Sequence, residues 1–239
     1  MAGSAALKEH LKEPGWVVCL GVAFTLLVLV EGWLFPWAPF FPIYAALAIA
    51  LPLVLGSYRL GKARDVFVRG FRKTMAFIIL ALIVDMGLSF AYAIYLSASG
   101  LLGDPYYDLG AALDELASAA STRLGITVEQ AFYIYAFFVL MWAPVGEELF
   151  YRGYLYGELR DKAGQLGAAV ISSVLFGLRH ATHFALLPAF PLVAAIWWAS
   201  STAIFGLVMA WAYEETGSLY VLMLAHFITN VVGITVAQV

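Results

Sequence analysis

The chain has 239 residues, of which 63% are hydrophobic and 12% charged, whereas a soluble domain carries roughly 25% charged and 45–50% apolar residues. A mean hydropathy of +0.88 excludes a single water-soluble core. A net charge of −3 gives no reason to expect a nucleic-acid partner.

The apolar residues come in runs of about 20, the length that crosses a hydrocarbon core about 30 Å thick. The fold expected is all-α: a polytopic transmembrane helical bundle of about seven spans, without the alternation of a β-barrel. Residues 1–15 form a tail carrying Lys8, Glu9, His10, Lys12 and Glu13. The first span, Trp16 to Phe35, lacks a small-residue cleavage site and reads as retained rather than as a signal peptide. It holds the single cysteine, Cys19. One cysteine excludes an intramolecular disulfide and a cysteine metal cluster, so Cys19 reads as a small residue facing lipid or a neighbour. Glu31, near the outer end of this span, is expected to reach the interface. The proline- and aromatic-rich Pro36–Pro42 is a turn at that interface.

A second span, Phe40 to Tyr58, leads into the most basic stretch. Arg59, Lys62, Arg64, Arg69, Arg72 and Lys73 there face only Asp65. A third span covers Thr74 to Ser97. The following loop reverses the balance, with Asp104, Asp108, Asp114, Glu115 and Glu129 against Arg123. The positive-inside rule puts the basic loop and the N-terminus in the cytoplasm and the acidic loop outside. Leu109–Ala120 is expected to form an amphipathic helix at the outer interface. Four further spans, Ala131 to Leu159, Leu166 to Phe184, Leu192 to Tyr213 and Ser218 to near the C-terminus, complete the bundle. Their connections are Arg160–Gln165, Pro188–Pro191 and the Glu214-Glu215-Thr-Gly turn. The division is therefore a tail at 1–15, three spans with the acidic loop at 16–130, and a four-helix core at 131–239.

Polar groups at membrane depth are costly, and each asks for a reason. The fourth span carries Glu147, Glu148 and Arg152. Glu148 and Arg152 are i,i+4 and share a face, so one carboxylate can pair with Arg152 while Glu147 faces a cavity. The fifth span carries Phe176, Arg179, His180 and His183, and the seventh carries His226 and Asn230, the only asparagine in the chain. At 1.5 Å per residue, Glu147, His180 and Asn230 all lie roughly 18–20 Å from the nearest cytoplasmic connection, and His226 about 13 Å. Each group alone has a bland reading: a self-neutralising pair, a hydrogen-bonded packing histidine, an amide bridging helices. Their convergence at matching depth points instead to a polar site inside the bilayer. Asp85, alone in mid-span, is expected to pair with Arg179 or line that cavity. Arg179 itself is a candidate for Asp85 or for a substrate carboxylate, and His183 for the outer rim.

The order EExxxR (Glu147, Glu148, Arg152), FxxxH (Phe176, His180) and HxxxN (His226, Asn230), each in an apolar helix, resembles the CPBP family of CAAX-prenyl-protease and bacteriocin-processing membrane proteins. That family includes the type II CAAX endopeptidases. The resemblance covers about residues 131–235. It implies an intramembrane endopeptidase of glutamate type acting on a membrane-associated or lipidated peptide, with a prenylated CAAX C-terminus among the candidates. It also implies that Glu147 and His180 activate water, that His226 and Asn230 stabilise the oxyanion, and that Glu148 and Arg152 orient the site, with no cofactor. The chemistry is compatible. A carboxylate in low dielectric becomes a competent base near neutral pH, and amide and imidazole N–H groups suit an oxyanion.

Two rival readings follow from the same residues. Glu147, His180 and His226 are a legitimate zinc set, although HExxH is absent. A non-catalytic scaffold, immunity protein or transporter would need no chemistry, but inverted repeats and broken helix pairs are missing.

Overall fold

The computed structural model describes residues 2–34, 42–58, 60–104, 107, 109–185 and 192–236, and all its regular structure is helical among them. The helices are α1 (Ala2–His10), α2 (Pro14–Leu34), α3 (Pro42–Leu55), α4 (Phe71–Ala98), α5 (Leu109–Leu124), α6 (Val128–Phe137), α7 (Ala143–Glu147), α8 (Gly157–Ala185), α9 (Leu192–Thr216) and α10 (Leu219–Val236). Short π-helical stretches at Asp65–Arg69, Phe138–Trp142 and Glu148–Tyr156 join some of them. Each of the seven stretches read as a span is helical. Four helical runs are long and apolar enough to cross a membrane by length and composition. One of these, Val128–Thr182, contains two of the expected spans. Its chain leaves helical geometry at Gly164, where φ is 74° and ψ 164°, a conformation open to glycine without strain. Beyond that point it doubles back, bringing Phe176 against Tyr151 with ring centroids 5.0 Å apart. Ile43–Leu55 and Leu219–Thr235 are shorter apolar helices. The turn expected at Pro188–Pro191 and most of that at Pro36–Pro42 lie outside the described residues, as does the side chain of His183.

The bundle is organised around α8. One of its faces packs on α2 and the other on α9, while α10 packs on α4 and on the 148–156 stretch. Aromatic side chains fill the junction with α2, where Phe24 stacks on Phe150 at 3.9 Å. The α8–α9 contact is built from small residues, as in membrane bundles where helices adhere by close backbone approach. A Cβ on Gly177 would stand 2.3 Å from the Ala199 carbonyl oxygen and 2.9 Å from the Ala203 Cβ. One turn away, Gly206 of α9 sits against Ser173 and Arg152.

Glu31 departs from its expected place. It is 1% exposed, and its two carboxylate oxygens accept from the backbone N–H groups of Ile43 (2.7 Å) and Tyr44 (2.9 Å). Those donors belong to the first turn of α3, where no intrahelical acceptor exists. Glu31 thus caps α3 rather than reaching an interface, and it fixes the position of Tyr44.

The polar connections expected on one side of the membrane do meet at one end of the bundle. Glu214, at the end of α9, accepts from Tyr156, Gln165 and Arg160, including Arg160 Nη2 at 2.9 Å. Lys73 Nζ pairs with Glu215 at 2.6 Å, and Ser218 donates to the Leu60 carbonyl at 2.6 Å. The N-terminal tail joins the same end, with the Tyr154 hydroxyl donating to the Leu11 carbonyl at 2.6 Å. The amphipathic helix expected at Leu109–Ala120 is present as α5 and packs Ala117 and Ala120 on Ala131 of α6. A capping box between Thr127 and Gln130 starts α6.

Two outcomes follow from this packing. Gly177→Val forces α8 and α9 apart, because a carbonyl cannot yield as a flexible side chain does. It is expected to cost at least the roughly 1–3 kcal/mol of an overpacked core, read as a lower melting temperature in detergent. The second concerns Glu214. Burial opposes its charge, but hydrogen bonds from Arg160, Tyr156 and Gln165 outweigh this and hold it below the ordinary 4.5. A lowered folded pKa stabilises fully above the unfolded value and is lost as pH falls through the folded one. Acidification should therefore lower the melting temperature less in Glu214→Gln than in wild type; identical acid limbs would rule this clamp out as the cause.

Candidate active site

The polar groups singled out in the sequence come from four consecutive or facing helical elements and meet. Glu147 ends α7, Glu148 and Arg152 lie in the π-helical stretch, Arg179 and His180 on α8, and His226 and Asn230 on α10. A π turn closes i→i+5 and is often found at functional sites. Its wider turn separates successive side chains by less than the 100° of an α-helix. Both adjacent carboxylates consequently reach the same histidine. His226 Nδ1 lies 2.8 Å from Glu148 Oε1, and its Nε2 lies 3.8 Å from Glu147 Oε2.

Glu148 pairs as its spacing suggested. Its Oε1 also receives Arg152 Nη1 at 3.2 Å, with both side chains 0% exposed. The Arg152 guanidinium lies 4.4 Å from the centre of the Phe176 ring. The same ring meets His180 edge-on at 4.5 Å and His226 at 6.1 Å. The phenylalanine of FxxxH is therefore an apolar spacer between the arginine and both histidines.

Glu147 differs from expectation in one respect. It lines a cavity, but it is not without a countercharge: Arg179 Nη2 stands 3.2 Å from its Oε1. Arg179 also lies 4.8 Å above the ring of Tyr44. Of the partners open to Arg179 in the sequence, Asp85 is thus not the one taken. Asp85 instead lines a second cavity with Ser89 and Tyr92 of α4 and with Trp197 of α9. Sequence reasoning missed the Glu147–Arg179 pair, although a cation beside His180 at membrane depth was the signal that could have found it. Tyr44, from a separate helix, carried no such signal.

Proton positions follow from the acceptors. His180 Nδ1 is 2.9 Å from the Phe176 carbonyl. A carbonyl only accepts, so Nδ1 carries the hydrogen and the neutral ring keeps its lone pair on Nε2. His226 likewise gives its Nδ1 hydrogen to the Glu148 carboxylate. Asn230 Nδ2 donates to the Val139 carbonyl at 2.8 Å, leaving a second amide hydrogen. The cluster stands between two cavities. The first is lined by Tyr44, Glu147 and Arg179, among others, and both are lined by Tyr135, His180, His226 and Asn230. Among the described residues, no three His, Cys, Asp or Glu side chains group closely enough to hold a metal ion.

Residues 129–232 match the family model of the type II CAAX prenyl endopeptidases, described as Rce1-like. This stretch is similar to an Rce1-like CAAX endopeptidase domain. It spans α6 to α10 and takes in all seven residues of the three motifs, while Tyr44 and Asp85 lie before it. The four long apolar helical runs and this likeness support an integral membrane protein whose residues 129–232 resemble the CAAX-type intramembrane endopeptidases. No curated protein and no solved structure matches it.

The buried Glu148–Arg152 pair sets an expectation for stability. Removing one partner leaves an uncompensated charge in the Rce1-like core, typically a loss of about 3–5 kcal/mol. Glu148→Gln should unfold at a markedly lower temperature, and Glu148→Gln with Arg152→Met should recover part of the loss. A double variant no more stable than the single one would show that the charge balance is not what holds this region.

Proposed function

We propose that the chain is a metal-independent glutamate-type endopeptidase that cleaves a membrane-associated or lipidated peptide, a prenylated CAAX C-terminus being the candidate closest to its family. The observation that carries this reading is the meeting of two imidazoles and an amide that line both cavities with a carboxylate, Glu147, that lines the first. Glu147 and the Nε2 lone pair of His180 take a proton from water as its oxygen attacks the scissile carbonyl carbon. The oxyanion formed is held by the second amide hydrogen of Asn230 and by His226. For His226 to donate from Nε2 while Nδ1 serves Glu148, the ring must be an imidazolium in that step. Glu148 and Glu147 stand on either side of that ring, 2.8 Å from Nδ1 and 3.8 Å from Nε2. Glu148 and Arg152 hold the ring in place. Collapse of the tetrahedral species breaks the C–N bond, and the proton taken from water passes to the departing amine.

The same reading takes the N-terminus as cytoplasmic by the positive-inside rule; in support, Leu60 and Lys73 of the basic segment lie at the end of the bundle where the tail docks. The site then belongs to the cytoplasmic half of the bilayer, and water enters from that side. The metal alternative requires Glu147, His180 and His226 to turn toward one ion; in the structure they are engaged with Arg179, the Phe176 carbonyl and Glu148.

The test is cleavage by the purified full chain in lipid nanodiscs. Glu147→Gln should lower kcat by about 10²–10⁴ and Asn230→Ala by about 10²–10³, with folding intact. EDTA should leave the rate unchanged; loss with EDTA and rescue by zinc would defeat the metal-free mechanism. Comparison of C-terminal neo-ends in cells carrying wild type or Glu147→Ala identifies the substrate. A folded Glu147→Gln chain with full activity would mean that the site is not catalytic.

A further inference from the structure

The two buried arginines of the site differ in a way that their sequence positions do not reveal. Both have guanidinium nitrogens with no partner among the described residues: Nε and Nη2 in Arg152, Nε in Arg179. Arg152 is sealed. It is 0% exposed, its Nη2 lies 3.0 Å from where a Cβ on Gly206 would stand, and it lines neither cavity. Arg179 forms part of the first cavity's wall, with its side chain 11% exposed. It touches Glu147 through one nitrogen and rests on the Tyr44 ring. A guanidinium has five donors in a planar fork, and a buried donor without an acceptor is costly. The acceptor that fits the fork is a planar carboxylate, bound through two parallel hydrogen bonds.

We propose that Arg179 binds a carboxylate of the substrate, its C-terminal one, and in doing so releases Glu147. The inference rests on the endopeptidase reading above and adds the feature of the substrate that is recognised. Without substrate, Arg179 neutralises Glu147. When a chain end enters the first cavity, its carboxylate takes over the guanidinium, and Glu147 turns to the water it activates. One anion replaces another on Arg179, so the guanidinium stays paired while the site gains the substrate's one negative charge, and the released Glu147 carboxylate meets that excess by taking the proton of the attacking water. Because Arg179 and Glu147 are in contact, the bond cleaved lies within a few residues of the chain end. An internal segment of a protein, which has no such carboxylate, leaves the ion pair closed. The guanidinium therefore acts as both the anchor for the terminus and the lock on the base.

Binding tests this without needing turnover. A fluorescent farnesylated peptide is prepared as the free acid, as the C-terminal amide, and as an amide ending in Asp. Each is titrated against the full chain in phosphatidylcholine nanodiscs. The acid should bind wild type about 10-fold or more tightly than either amide, as for a charge-assisted bidentate contact. In Arg179→Gln the three should bind alike, and Arg179→Lys should keep part of the preference. Glu147→Gln, which frees Arg179, should bind the acid tighter than wild type does while leaving the amides unchanged. Were Arg179→Gln not to fold, the Glu147→Gln and Arg179→Lys results would still decide. Equal binding of acid and amide by wild type overturns the proposal. So does an Asp-ended amide that matches the acid, since the terminus is then not what is recognised. A preference for the acid that survives in Arg179→Gln overturns it too. Cleavage measured with the same variants separates the two readings. A cleaving Glu147→Gln chain removes the catalytic assignment, whereas an inactive one with no acid preference removes only the role of Arg179.

Discussion

Charge compensation without water is the constraint on which the rest of this structure depends. Two adjacent carboxylates, Glu147 and Glu148, are 2% and 0% exposed in a bundle whose surroundings are apolar. Isolated charges in such a place are prohibitively costly. They persist because each has its own guanidinium, and because His226 bridges them. The four charged groups come from two arms of one hairpin, and the histidine from a third helix. The hairpin bend at Gly164 and the packing of α10 on the 148–156 stretch are therefore conditions for burying the charges at all.

The compensation is not symmetric, and the asymmetry separates support from chemistry. Glu148 and Arg152 are closed off by Phe176, Ser173 and Gly206. Their work is to hold His226 by its Nδ1. Glu147 and Arg179 form part of a cavity wall, where a ligand can compete for either. The π-helical geometry matters here. It allows neighbouring residues to be assigned to the two different environments while both still face His226. Around this core the scaffold is held tightly. Small residues lock α8 to α9, Glu31 caps α3 beneath Tyr44, and the Glu214 cluster ties the end of α9 to the hairpin bend.

Local chemistry in the sequence carried much of the site. Glu148 with Arg152 was legible because four residues along a helix is a contact distance. Counting rise per residue brought Glu147, His180 and Asn230 to a common level, with His226 one turn away on the face of Asn230, since a membrane fixes where helices begin and end. The same counting could not choose partners across helices. Arg179 had Asp85 as its candidate partner within the chain, and in the structure it pairs with Glu147 instead. Glu31 looked like an interfacial charge because its acceptors serve backbone groups 12 and 13 residues away, which no pattern within its own helix announces.

What the sequence by itself determined is the class of protein and the chemical content of its site. Apolar runs of membrane length, the charge reversal between two loops and three spaced motifs are local properties of the chain. What only the tertiary structure decided is which charge neutralises which and which residues face open space. Those depend on side-chain directions set by a π-helical stretch, by the bend at Gly164 and by the close approach of α8 and α9. Each of these rotates or shifts a helix by an amount that a regular helical repeat does not contain. The assignment of Arg152 to the sealed interior and of Arg179 to the cavity wall follows from that geometry alone.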